Sequence, residues 1–232
     1  MININFDFQK ESSYKDSDRW SPTLQEYHRI LWSKPLPRGE LFTLSKISQN
    51  RLYHNSFIGE FYLSSDRAVA TLQKQKTMKQ ILSQIDQEEL IKFKKLSDTI
   101  GGIVIWPSKR VNNKMTINGA RGFNRFISYR LDLTLECIRR YYIGVPSPLS
   151  DVLERYSAFF ELFVDFRGYI NFFLLQDAVS NDYSIVNIAP PFNDFHDTPL
   201  PKNDEEYIEY ILHTSRFINK RNSRIDTWQK SL

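Results

Sequence analysis

Apolar positions in the first half of the chain fall in short runs, and in the second half they recur at helical spacing. The segment SPTLQEYHRILW (21–32) carries a helix pattern, with Ser21 as N-cap and Pro22 at the first helical position. Pro35 and Pro37 stop it. ELFTLSKI (40–47), RLYHN (51–55) and IGEFYLS (58–64) predict short strands, with Asn50 and Gly59 as turn residues. Residues 67–97 are rich in Lys, Gln, Glu and Leu and predict one or two exposed helices, broken near Ser83 to Asp86. TIGGIVIWP (99–107) predicts a strand apolar on both faces, and Asn112-Asn113 suits a hairpin turn after it. The first twenty residues are polar and irregular and suggest a surface arm.

The second half predicts a helix over 121–142, a Ser147-Pro148 helix start, and an almost wholly apolar segment over 169–179. A return strand follows at 183–188, then a proline-rich loop. A closing helix begins near Asp204, acidic at its start and basic at its end, as the helix dipole prefers. The fold class expected is α+β: a small antiparallel sheet from the N-terminal half packed with a predominantly helical C-terminal half. One domain over 1–232 is expected, the alternative being a strand-rich part at 21–117 and a helical part at 118–232.

Composition narrows the picture further. The chain has 232 residues, 41% hydrophobic, with 17 Phe and 12 Tyr, which supplies ample core material. Its 31 basic and 27 acidic residues leave +4, short of the charge density of a dedicated duplex-DNA binder. Cys137 is the only cysteine, so no internal disulfide or multi-cysteine zinc site can form. No signal-peptide pattern and no apolar run of about 18 residues is present, so a cytoplasmic protein without membrane association is expected.

Chemistry concentrates in NGARGFNR (118–125). Two glycines permit close approach to main-chain N–H groups, and a helix start offers free donors and partial positive charge. Arg121 and Arg125 would add bidentate donors on one side, with Asn118 beside them. The pattern is neither a Gly-x-Gly-x-x-Gly nor a Walker loop. On a helical wheel Arg130 falls inside the apolar arc with Phe126, Thr134 and Cys137, so it requires a carboxylate, carbonyls or a bound anion. Asp165 and Asp177 are its expected partners, with Asp177 favoured.

The opposite wall is expected from 165–177, with Gln176 and Asp177 at the cleft mouth. The ligand expected is a nucleotide or a nucleic-acid phosphate. Asp132, Asp165 and Asp177 are the candidate acids or bases, with no pairing legible among them. The four histidines form no metal-ligand pattern, so no metal is expected and the cofactor is open; His54 is the one placed beside polar strand residues. Trp32 and Lys34, ahead of two prolines, anchor a loop or receive an aromatic ring. Cys137 is expected to be a buried, inert thiol. A non-enzymatic protein-interaction role in a bacterial defence or regulatory system is the other reading, favoured if aromatic residues over 148–166 stand exposed.

The stretches LWSKPLP, TINGARGF, LDLTLECIRRYY and FFLLQD resemble a family of uncharacterised bacterial proteins known only as a domain of unknown function. The resemblance runs through nearly the whole chain. It implies a bacterial or phage-related cytosolic protein and carries no catalytic residues with it.

Overall fold

The computed structural model describes residues 1–47, 51–68, 70–73 and 75–231. Ser21 begins the helix Pro22–Trp32 as the sequence requires: its hydroxyl accepts from the Leu24 N–H at 3.1 Å. The inward face of that helix presents Leu24, His28, Leu31 and Trp32, all buried. Ser33 then leaves the helix, and a two-residue strand β1 (Lys34–Pro35) pairs antiparallel with β2 (Leu41–Phe42), setting Lys34 opposite Phe42.

Four further strands form an antiparallel sheet in simple order: β3 (Ser45–Ile47), β4 (Arg51–Ser56), β5 (Gly59–Arg67) and β6 (Ile103–Pro107). Asn50 lies outside the described residues. All five residues of β6 are buried, which explains why its sequence lacks alternation. Asp86 caps the helix Gln87–Ser97 after the break expected at 83–86.

Helices dominate the second half: Leu131–Tyr142, Phe166–Phe172 and the 27-residue Asp204–Lys230, capped by Asn203 through the Glu206 N–H at 2.8 Å. The chain is therefore α+β, with small antiparallel sheets first and mostly helices after. The buried residues form one hydrophobic cluster drawn from both halves. An aromatic nucleus lies at its centre, where Phe163 is within 5.4 Å of Tyr169, Phe172 and Phe173.

Several local expectations are corrected. The first twenty residues are no loose arm: they hold two single-turn helices, and Ile2 and Phe8 enter the core. Asn112 and Asn113 do adopt positive φ, but the chain after them enters a helix rather than a strand. The Ser147 hydroxyl accepts from Leu149, yet the helix begins only at Ser150. The stretch 183–188 forms a single bridge between Val179 and Val186 instead of a strand. Most consequential is the expected helix over 121–142, which is two helices, Ile117–Phe123 and Leu131–Tyr142. Ser128 and Tyr129 stand between them at φ of 48° and 63°. Tyr129 folds back, and its ring would meet a Cβ on Gly122 at 2.1 Å, so that glycine serves ring packing rather than the approach of a ligand.

Candidate functional site

The break in the helix decides the fate of the arginines. Arg121 is fully buried and all five of its N–H groups are bonded within the protein. They reach Asp66 at 2.8 Å, Thr134 at 3.2 Å, and the carbonyls of Arg67, Ala68 and Tyr129. Its guanidinium lies 4.7 Å from the centre of the Trp106 ring. Arg130 is buried as its place in the apolar arc requires, but its partner is Asp132, two residues on. Nε and Nη2 of Arg130 donate to the two Asp132 oxygens at 3.1 and 2.6 Å, and the carbonyls of Ala189, Pro191 and Pro199 take the rest. The expected Arg130–Asp177 pair is thus corrected, because Arg130 caps a new helix and meets the acid of that helix's first turn.

Burial works against the Asp132 carboxylate. The Arg130 guanidinium and the N–H groups of Ala189 and Leu133 outweigh it and hold the Asp132 pKa below its ordinary value. Asp177 instead receives Nε and Nη2 of Arg224 at 2.8 and 3.1 Å. Arg125 is exposed, its guanidinium over the Phe126 ring at 4.6 Å. Asn118 donates to Ser64 at 3.3 Å. The guanidinium groups between 121 and 130 therefore point to three different surroundings.

Asp132 and Asp177 do come together, lining a small hollow with His213, Asn187 and Tyr210. Its free volume is ≈ 30 Å³, room for a water and no more. His54 is buried against Phe42 at 4.3 Å, accepts from the Thr43 N–H, and meets the Ser56 hydroxyl at 2.9 Å, so both ring nitrogens are occupied in the core. Burial pushes the Cys137 thiol up to about 12, which makes it a poor nucleophile. The aromatic residues Tyr156, Phe159, Phe160, Phe163 and Phe166 all turn inward.

A larger cleft of ≈ 560 Å³ lies where two segments face each other, Lys34–Pro37 and Phe163–Phe172. The first wall is fixed by the β1–β2 pairing and by a turn in which Gly39, at φ +98°, donates to the Leu36 carbonyl. The second begins with a γ-turn at Val164, φ 71° and ψ −56°, closed by the Asp165 N–H on the Phe163 carbonyl at 2.8 Å. A β-branched residue resists that conformation, so strain is held at the cleft rim. Asp165 then caps the next helix through the Gly168 N–H at 2.7 Å. Gly168 lets the walls meet: a Cβ there would stand 2.0 Å from the Phe163 carbonyl oxygen and 3.1 Å from Pro37.

Lys34 is the unusual member of this cleft. Its ammonium lies 5.2, 4.8 and 5.1 Å from the ring centres of Trp32, Phe172 and Trp228. Among the described residues no carboxylate pairs with it. Arg221 is fully buried and bonded to the carbonyls of Gly101, Ile103, Phe173 and Leu174. Burial, and then the charge on Arg221, push the Lys34 pKa down to about 7. The ring faces oppose this by favouring a cation, an attraction of about 0.5–2 kcal/mol. Arg167 supplies a second cation at the rim, its guanidinium 4.8 Å from the centre of the Tyr183 ring. Tyr183 and Gln176 both donate to the Asn171 side-chain oxygen, at 2.8 and 2.9 Å, which frames that side of the cleft.

Asp165 and Asn171 line this cleft and Gln176 reaches it only through Asn171, but the segment faces Lys34–Pro37 and not the 115–142 turn and helix expected opposite it. Arg221 and the isolation of Lys34 were missed by sequence reasoning. Arg221 carried a signal: it sits at helical spacing from Thr214, Phe217, Ile218 and Ile225, all buried, the same mark that singled out Arg130.

Residues 2–225 match the family described as a family of unknown function, DUF6994, and the chain belongs to that family. No curated protein and no solved structure matches the chain. Among the described residues no helix is long and apolar enough to cross a membrane, and no cluster of His, Cys, Asp and Glu is placed to hold a metal ion.

Proposed function

Starting from a family without an assigned activity, we propose that this protein binds a small anionic ligand in the cleft between Lys34–Pro37 and Phe163–Phe172. The ligand class is a phosphorylated or carboxylated small molecule, nucleotides included. The observation that carries the reading is Lys34, a half-buried cation that no carboxylate of the described chain neutralises, on the wall of a cleft of ≈ 560 Å³. Cavities of about 300–1,000 Å³ suit small molecules. Arg167 offers the planar fork that carboxylate and phosphate groups favour, and the exposed Pro35, Pro37 and Val164 give apolar surface for the rest of the ligand. The proposed anion site moves from the 118–125 turn to the cleft between 34–37 and 163–172, and the cations that hold it change from Arg121 and Arg125 to Lys34 and Arg167.

Thermal unfolding at low salt with pyrophosphate, AMP and citrate tests this. A ligand at 100 times its Kd adds about 2.7 kcal/mol of stability. A stabilisation that disappears in Arg167→Ala, and that weakens as pH rises through about 7 because Lys34 loses its proton, is the expected result. No stabilisation by any of the three would overturn the reading.

A further inference from the structure

We propose that Lys34 is a nucleophile, forming an imine with a small carbonyl-bearing acid such as a 2-oxo acid or an aldehyde acid. This rests on the cleft being the ligand site. Two conditions turn a lysine into a nucleophile at neutral pH: desolvation in an apolar pocket, and a second cation close by. Lys34 meets both. Trp32, Phe172 and Trp228 surround its nitrogen and offer no hydrogen-bond acceptor beyond their ring faces. Arg221, bonded only to main-chain carbonyls, places an unneutralised guanidinium against the same Trp32 ring, 6.0 Å from its centre.

The other charged groups around this point are few. Asp165 and Arg167 stand on the facing wall, and Asp177 lies beyond the cleft, already paired with Arg224. The ammonium has no ion-pair partner among the described residues, so losing its proton breaks no salt bridge. Burial, and then the Arg221 charge, push its pKa down to about 7, where a large share of the amine is neutral.

The chemistry balances without any further reactant. The neutral nitrogen attacks the carbonyl carbon, and a C–N bond forms as the C=O π pair moves to oxygen. That oxygen takes up a proton and the nitrogen gives one up, leaving a carbinolamine. Departure of the hydroxyl with the second nitrogen proton releases one water and leaves C=N. Nothing is oxidised or reduced. Arg167, on the opposite wall, receives the carboxylate of the substrate.

The test uses the full chain with glyoxylate and sodium cyanoborohydride, read by intact mass and peptide mapping. The expected product is one reduced adduct, on Lys34, whose rate of formation rises with pH and is half-maximal near 7. Lys34→Arg abolishes that adduct, and Arg167→Ala slows it about tenfold, as loss of a charge-assisted bond predicts. If Lys34→Arg does not fold, the wild-type peptide map and pH profile decide alone. Adducts spread over surface lysines, or a Lys34 rate still climbing through pH 9 as for an ordinary amine, would overturn the proposal. Stabilisation by pyrophosphate with no Lys34 adduct would sink the imine and leave the anion site standing; absence of both would remove the two together.

Discussion

Arg121 and Lys34 are both cationic side chains drawn into aromatic surroundings, one over Trp106 and the other among Trp32, Phe172 and Trp228. Around Arg121 every donor meets an acceptor of the protein, and Asp66 balances the charge. Around Lys34 the neighbours are ring faces and another cation, and the open side is a cleft. A cation's surroundings, more than its place in a suggestive sequence motif, decide whether it is available. Arg121 and Arg130 have spent their charge on holding the fold together, and Lys34 has not.

The sharpest way to break this contrast is to remove Arg130. Arg130→Ala leaves Asp132 and the carbonyls of Ala189 and Pro199 buried without their donor, and should cost about 3–5 kcal/mol in urea unfolding. The pH dependence supports the same point. The folded Asp132 pKa is depressed, so its share of stability is present above the unfolded value of about 3.9 and is lost as pH falls through the folded one. The variant should lack that share of the acid loss. A variant as stable as wild type would show that Arg130 is not holding the 189–199 loop.

Gly168→Ala is expected next in size. Its methyl group would press on the Phe163 carbonyl, so the helix Phe166–Phe172 must shift, at a cost of about 1–3 kcal/mol. Ligand-induced stabilisation should fall with it, because the shifted helix carries a cleft wall. Retained binding at full strength would separate the cleft from that helix.

Lys34→Met is expected to act with the opposite sign. The folded pKa of about 7 lies below the usual lysine value of about 10.4, so between them the unfolded chain binds the extra proton. Wild-type stability therefore rises with pH across that window. The variant should be the more stable protein at pH 7, with the difference shrinking toward pH 10 in paired urea titrations. A destabilised variant with an unchanged pH slope would mean that Lys34 packs as an ordinary half-buried stem.

Much of the architecture was legible because it rests on local signals. Ser21 and Pro22 started a helix where they stand, the fully apolar β6 had to be buried, and Arg130 within an apolar arc had to be paired. What escaped depends on the chain meeting itself at a distance. The wheel over 121–142 assumed continuous helix, and nothing local announced that Tyr129 would fold onto Gly122. Once the helix breaks, Arg121 and Arg125 no longer share one side. The cleft brings together Pro37 and Gly168, which are far apart in sequence, and the isolation of Lys34 depends on Trp228 arriving from the last helix. Trp32 and Lys34 were visible as an aromatic–lysine pair; the missing counter-ion was not.

The ionisation of one amine decides what the cleft can do, and lysine-selective ¹³C NMR titration of the full chain reads it directly. One lysine resonance, absent in Lys34→Arg, should titrate near pH 7. All lysines titrating together near 10 would contradict it, and Lys34 would then be a fully charged surface group.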